Sequence, residues 1–197
     1  MTLILASGSE TRRVLLANAG VAFRVVPAEL DERAAEQPLL EAGATPADLA
    51  SALAIAKAAM VSKLHPEAVV IGADQTLELD GSRLTKPSDM EAARRQLLGL
   101  SGRVHHLHSA VVCAKAGNIV WQAVDTAHLT MRTLRPAFIG RYLAEVGPAA
   151  LTSVGAYQLE GLGIQLFEAI EGDYFTMLGL PLLPLLDYLR TQGMLDS

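Results

Sequence analysis

Cysteine is nearly absent from this chain of 197 residues: Cys113 is the only one. A single thiol makes no internal disulfide and no cysteine-rich metal centre. Its place in an apolar run predicts a buried, inert side chain. Aromatic residues make up only 5% of the chain. Long apolar runs are missing too. The most apolar stretch, Met177 to Leu186, carries two prolines and ends at Asp187, so no membrane span is expected. Positive charge is in deficit, with Lys+Arg 16 against Asp+Glu 21 and a net charge of −5. That excludes the broad basic field of a duplex nucleic-acid binder. The start, Met1-Thr2-Leu3, lacks the basic segment of a secretion signal, and a cytoplasmic location is expected. There is no Walker loop and no G-x-S-x-G elbow. Gly161-Leu162-Gly163 fails the dinucleotide fingerprint because Leu166 stands where the third glycine is needed.

What is present is a large apolar fraction, 51%, enough for a sizeable core in one domain or one domain with a lobe. The spacing predicts a strand over Thr2–Ala6 and a helix from Glu10 to Ala19, stopped by Gly20. A strand at Phe23–Pro27 leads into an acidic loop, Glu29-Leu30-Asp31-Glu32. Thr45, Pro46 and Asp48 open a helix with an N-cap, a proline at its first position and an early acid. Ala68–Ala73 reads as a strand covered on both faces. A hairpin turning at Asp80-Gly81 follows, then a helix to Leu100 with Ser88 and Glu91 as its capping box. Val104–Ala114 and Ile119–Met131 read as a long antiparallel hairpin around Gly117-Asn118. Pro136–Val146 and the segment from Pro181 to Arg190 read as helices, with a Gly-rich stretch, Gly155 to Gly163, between them. This alternation predicts an α/β fold with a mixed central sheet flanked by helices. The reading for residues 1–197 is one domain whose two lobes, divided near residue 133, surround a cleft.

The most informative segment is Ala6-Ser7-Gly8-Ser9-Glu10-Thr11-Arg12-Arg13. A strand runs into a small-residue turn, and a helix opens with two arginines in its first turn. Free backbone N–H groups, two hydroxyls and two guanidinium forks suit a polyanion. The same residues also fit a capped first helix with surface arginines. Asp74 follows an apolar strand, at the edge where α/β sheets bind ligands. Asp31 and Glu32 follow the second strand. Lys86, stiffened by Pro87, comes only twelve positions after Asp74. His106 and His108 share a strand face with His105 opposite, but no third ligand has zinc spacing. Lining the sheet face or touching substrate fits these histidines better. A phosphate cradle with carboxylates and a lysine points to a divalent metal, Mg²⁺ or Mn²⁺, bridging a nucleoside triphosphate.

Seven motifs then occur in one order: Leu5-Ala6-Ser7-Gly8-Ser9 with Arg12-Arg13, Leu30-Asp31-Glu32, Ile71-Gly72-Ala73-Asp74-Gln75, Thr85-Lys86-Pro87, Leu100-Ser101-Gly102-Arg103-Val104-His105, Gly155-Ala156-Tyr157-Gln158-Leu159-Glu160-Gly161 and Gly179-Leu180-Pro181-Leu182. In this the chain resembles the Maf-like nucleoside triphosphate pyrophosphatases over nearly its whole length. The resemblance implies an inosine triphosphate pyrophosphatase-like fold, a homodimer, and metal-dependent hydrolysis of a nucleoside triphosphate to monophosphate and pyrophosphate. It implies that Ser7, Ser9, Arg12 and Arg13 hold the triphosphate. Glu32 and Asp74 would bind the metal, with Asp74 the base that activates water. Lys86 would neutralise phosphate charge, Gln75 and Arg103 would contact substrate, and Glu160 would close the far side of the cleft. Two departures stand out. Ser9-Glu10-Thr11-Arg12-Arg13 replaces the usual Ser-Pro-Arg-Arg and sets an acid beside the phosphate. Gln75 after Asp74, with Glu160 in the late motif, resembles the 7-methyl-GTP branch, whereas Gly155-Ala156-Tyr157 is similar to the pyrimidine branch. The alternative reading is a nucleotide-binding regulator of cell division and septum formation with little turnover.

Overall fold

Strands and helices alternate in the computed structural model, which describes residues 2–196. The order is β1 (Leu3–Leu5), α1 (Glu10–Asn18), β2 (Arg24–Val25), α2 (Glu32–Glu41), α3 (Pro46–Leu64), β3 (Val69–Leu79), β4 (Ser82–Leu84), α4 (Met90–Leu100), β5 (Val104–Lys115), β6 (Asn118–Met131), α5 (Pro136–Val146), β7 (Phe167–Glu171), α6 (Tyr174–Met177) and α7 (Leu182–Thr191). Hydrogen-bonded neighbours run β2-β1-β3-β5-β6-β7, with β4 on β3. β1 pairs in parallel with β2 and β3, while β3–β4 and β6–β7 are antiparallel. The sheet is mixed and helix-flanked, as the sequence pattern predicts.

Contacts divide the chain into two compact units, and β3, β5 and β6 each pass from one to the other. The first comprises residues up to Gln75, His108–Thr126 and the chain from Asp173 onward. The second comprises Thr76–Leu107 and Ala127–Gly172.

In the first unit the period-2 alternation of the strands sorts the core into two layers. Leu3, Leu5, Val69, Ile71, Val111 and Cys113 pack with Leu15 and Leu16 of α1 and Leu182, Leu185 and Leu189 of α7. The intervening residues face α3. Ile4, Ala6 and Val70 cluster with Val61, and Ala110, Val112 and Ala114 with Ala50, Ala54 and Ala58. An alanine stripe lets α3 lie close to the sheet, closest at Gly72. A Cβ there would sit 2.3 Å from the Ala54 carbonyl oxygen and 2.7 Å from the Ala58 nitrogen. Cys113 is buried and its thiol is pushed up to about 12 by desolvation, as expected of an inert side chain.

In the second unit α4 packs on α5. His105 is fully buried, with Nε2 at 2.8 Å from the Tyr157 hydroxyl, and Phe167 stacks edge-on to Tyr157. The Tyr157 ring folds over Gly155, where a Cβ would meet it at 2.1 Å. Ala156 between them adopts φ +58°, and Ser153 Oγ closes the loop by donating to the Tyr157 carbonyl at 2.5 Å. Burial, with help from His106, pushes His105 down to about 4.

Three expectations are corrected. The acidic loop continues into α2, which Asp31 caps by accepting from Ala34 N at 3.1 Å; Pro38 within it had masked the helical pattern. Asp89, not Ser88, caps α4. β3 does not end at Ala73 but carries Asp74 and Gln75 in mid-strand, because backbone pairing continues through the polar residues.

Two outcomes follow. Gly72→Ala, forced against α3 backbone, should cost about 3 kcal/mol in urea unfolding. His105 titrates near 6.5 when unfolded and near 4 when folded. Between those values only the unfolded chain gains the proton, so stability should fall by about 3 kcal/mol as pH drops from 6.5 to 4. His105→Gln should flatten that part of the stability–pH curve; parallel curves for the two proteins would contradict the assignment.

Candidate active site

The first unit holds Ser7, Arg12, Glu32, Asp74 and Gln75, and it pairs Glu32 and Asp74 with a residue that no sequence motif marks, Lys57. The turn after β1 delivers Ser7 and then Ser9, which caps α1 by accepting from Arg12 N at 3.4 Å. Ser7 is buried, and its Oγ accepts from Ser9 N and from Arg12 Nη1, both at 3.2 Å. Its hydroxyl proton remains to be donated to an incoming oxygen.

Arg12 is only 9% exposed, although it stands in the first turn of a helix. Its Nε donates to the Gly179 carbonyl at 2.7 Å and its Nη1 to the Ala73 carbonyl at 2.9 Å. Burial lowers its pKa, and Asp74 and Glu32 act against that, so it is a fixed cation. Arg13, by contrast, lies on the surface and is gripped by Glu10: its Nε donates to one carboxylate oxygen at 2.7 Å and its Nη2 to the other. The acid that departs from the family pattern therefore offsets the second arginine.

Asp74 is 8% exposed. It falls in the strand alternation on the face that α3 covers. Lys57 of α3 meets it there, Nζ to Oδ1 at 2.5 Å, and the same Nζ lies 2.6 Å from Oε1 of Glu32 at the start of α2. Lys57 and Asp74 side chains are each 11% exposed and Glu32 49%. Desolvation pushes the Asp74 carboxyl above its ordinary range; Lys57 and Arg12 pull it down, and Glu32 pushes it up. A basic carboxylate held by a cation can take a proton from water. Gln75, one residue on, points to the opposite face. Its Nε2 donates to Ser109 Oγ, to the Thr176 carbonyl and to the Met177 carbonyl at 3.0–3.1 Å. Its Oε1 and Arg12 Nη2 both face Gly179, at 3.5 and 3.4 Å from where a Cβ would stand. Gly179 itself has φ +91°, a conformation suited to glycine.

The chain belongs to the Maf-like family. Residues 2–192 match its description, "Maf-like protein". Relatives named 7-methyl-GTP pyrophosphatase occur in Mesorhizobium japonicum, 58% identical, and Brucella abortus, 59% identical, each aligned over 99% of this chain and 98% of its own. A relative in Granulibacter bethesdensis named nucleoside triphosphate pyrophosphatase is 50% identical over 96% of both chains.

Three family-matched residues belong to the second unit. Lys86 is exposed after β4. Arg103 pairs with Asp80 and donates from Nη1 to the Gly99 carbonyl at 3.3 Å. Glu160 is exposed in the turn after Tyr157. Among the described residues no three His, Cys, Asp or Glu side chains form a metal cluster, and no helix is long and apolar enough to cross a membrane.

Lys57 was legible after all. In α3 the buried stripe includes Ala50, Leu53, Ala54, Lys57 and Val61, and a lysine at helical spacing inside an apolar stripe requires a buried acid. Lys57→Met should cost about 3 kcal/mol at neutral pH, because Asp74 is left charged and buried. The carboxyl already titrates above its ordinary value, and the loss of Lys57 raises it further. The deficit should therefore shrink as pH falls through the Asp74 pKa, which urea midpoints at pH 7 and pH 5 would show.

Proposed function

We propose that this protein hydrolyses a nucleoside triphosphate between its α- and β-phosphorus atoms, releasing the monophosphate and pyrophosphate, with 7-methyl-GTP the first substrate to try. The observation that carries this reading is the buried carboxylate Asp74 held by Lys57 and flanked by the fixed cation Arg12. The names of the relatives support it. Asp74 accepts the proton of a water, and the resulting hydroxide attacks the α-phosphorus in line. The P–O bond to the β-phosphate breaks, and the departing charge is met by Arg12, the α1 N-terminus and the Ser7 hydroxyl.

The donor set fits a divalent metal. Glu32 and Asp74 offer carboxylates turned to one point, the Lys57 ammonium, and two carboxylates plus substrate phosphates are an ordinary Mg²⁺ or Mn²⁺ environment. Such an ion would supply charge neutralisation on the phosphates and a more acidic water. Roles for Lys86 (phosphate charge) and for Arg103 and Glu160 (substrate contact) are carried by the family resemblance alone. A homodimer, a cytoplasmic location and the removal of unwanted nucleotides are part of the same proposal.

Asp74→Asn should lower turnover at least about 10³-fold while triphosphate binding persists. The assay is a nucleotide panel with Mg²⁺ or Mn²⁺, scored separately for pyrophosphate and orthophosphate. Orthophosphate alone would move the attack to the γ-phosphorus. Binding without any product would favour the regulatory reading.

A further inference from the structure

The second unit carries a hollow of about 190 Å³ lined by Arg132, Thr133, Leu134, Arg135, Phe138 and Arg141. Three of its six lining residues are arginines, in a protein whose net charge is −5. None of the three arginines has a carboxylate within ion-pairing distance among the described residues. α5, which starts beside them, has no acid in its first turn and no side-chain cap, and Arg135 holds its cap position. Like charges gathered without an acid repel one another and are relieved by an anion.

One of the three arginines is held in place. The Arg132 guanidinium lies over the Phe138 ring at 4.8 Å, a cation–π contact that holds the fork in place. The Arg132 backbone is tied on both sides, N–H to the Leu166 carbonyl at 2.9 Å and carbonyl to Gly102 N at 3.1 Å. Arg135 and Arg141 also line the hollow, and all three arginines are exposed. Planar forks match phosphate oxygens two at a time. The volume is below the roughly 300–1,000 Å³ of pockets that enclose whole drug-sized ligands, so a phosphate head fits and an entire nucleotide does not. Three cations ask for more charge than one orthophosphate carries.

We propose that this hollow is a second anion site that binds a phosphoanhydride, either free pyrophosphate or the terminal phosphates of a nucleotide held outside it. It shares no residue with the Asp74 cluster, and its existence does not depend on the reaction proposed there.

The test is calorimetric titration of the whole protein with pyrophosphate, beside an Arg135→Gln/Arg141→Gln double variant. Both positions are exposed, so the fold should persist, checked by an unchanged melting temperature. Two classes of pyrophosphate site are expected in the parent, this one and, on the reading proposed above, the Asp74 cluster. In the variant one of them should weaken at least tenfold, while turnover of any accepted nucleotide stays unchanged. Orthophosphate should bind this site at least tenfold more weakly than pyrophosphate. A triphosphate that competes for the same site in Asp74→Asn protein would identify a nucleotide tail as the source, and absence of competition would identify free pyrophosphate. Identical pyrophosphate isotherms for parent and variant would overturn the proposal, as would equal binding of orthophosphate.

Discussion

One ammonium group, Lys57 Nζ, sets the terms for the first unit. It stands 2.5 Å from Asp74 and 2.6 Å from Glu32, and each of the three belongs to a different element. A charge this buried is tolerable only when paired, so α3, β3 and the start of α2 hold their positions together or lose the pairing. The close seating of α3 follows from the same demand. Ala50, Ala54 and Ala58 keep the helix surface low, and Gly72 removes the last side chain that would stand between helix and strand. Apolar packing supplies the stability here, and the ion pair specifies the register. Burying two charges costs about as much as their attraction returns, so the pair fixes geometry more than it adds stability.

Arg12 performs the same task on the opposite face of β3. Its guanidinium ties α1 to the Ala73 carbonyl and to Gly179 before α7, joining segments 167 and 61 positions apart in the chain. Gln75 repeats the pattern by spending its amide N–H groups on the carbonyls that end α6. Both residues leave one polar group toward the turn at Gly179, Nη2 of the arginine and Oε1 of the glutamine. A strand that places Asp74 on one face and Gln75 on the other thus organises two polar clusters from adjacent residues.

The alternation of strand and helix patterns made the mixed α/β sheet legible, and the small-residue turn before Glu10 marked the start of the first helix. Asp74 and Glu32 were visible as carboxylates at strand edges. What stayed hidden was contextual. Whether Arg12 is a surface residue or a buried tie depends on carbonyls far along the chain, which no local pattern encodes. α2 was obscured because Pro38 and scattered acids blur a 3.6-residue period. β3 runs past Asp74 because ladder hydrogen bonds are indifferent to side-chain polarity, whereas the reading ended the strand where the apolar run ended. Lys57 did leave a trace, a cation inside an apolar helical stripe, although it belongs to no recognisable motif.

The two neighbouring arginines of α1 illustrate how unequal adjacent cations become. Arg12 is locked by carbonyl acceptors, which carry no net charge, so its positive charge is intact and its entropy already lost. Arg13 faces solvent and is matched by the two oxygens of Glu10, a pair of surface charges that water screens and that contributes little stability. An anion meeting the start of α1 finds Arg12 preorganised, whereas Arg13 must first be drawn away from Glu10. The cost of that exchange is small because the pair is exposed. A proline in place of Glu10 would leave no such competitor. On the proposed function, the glutamate would therefore shift the load of anion recognition onto Arg12 and Ser7, the groups whose positions the fold has already fixed.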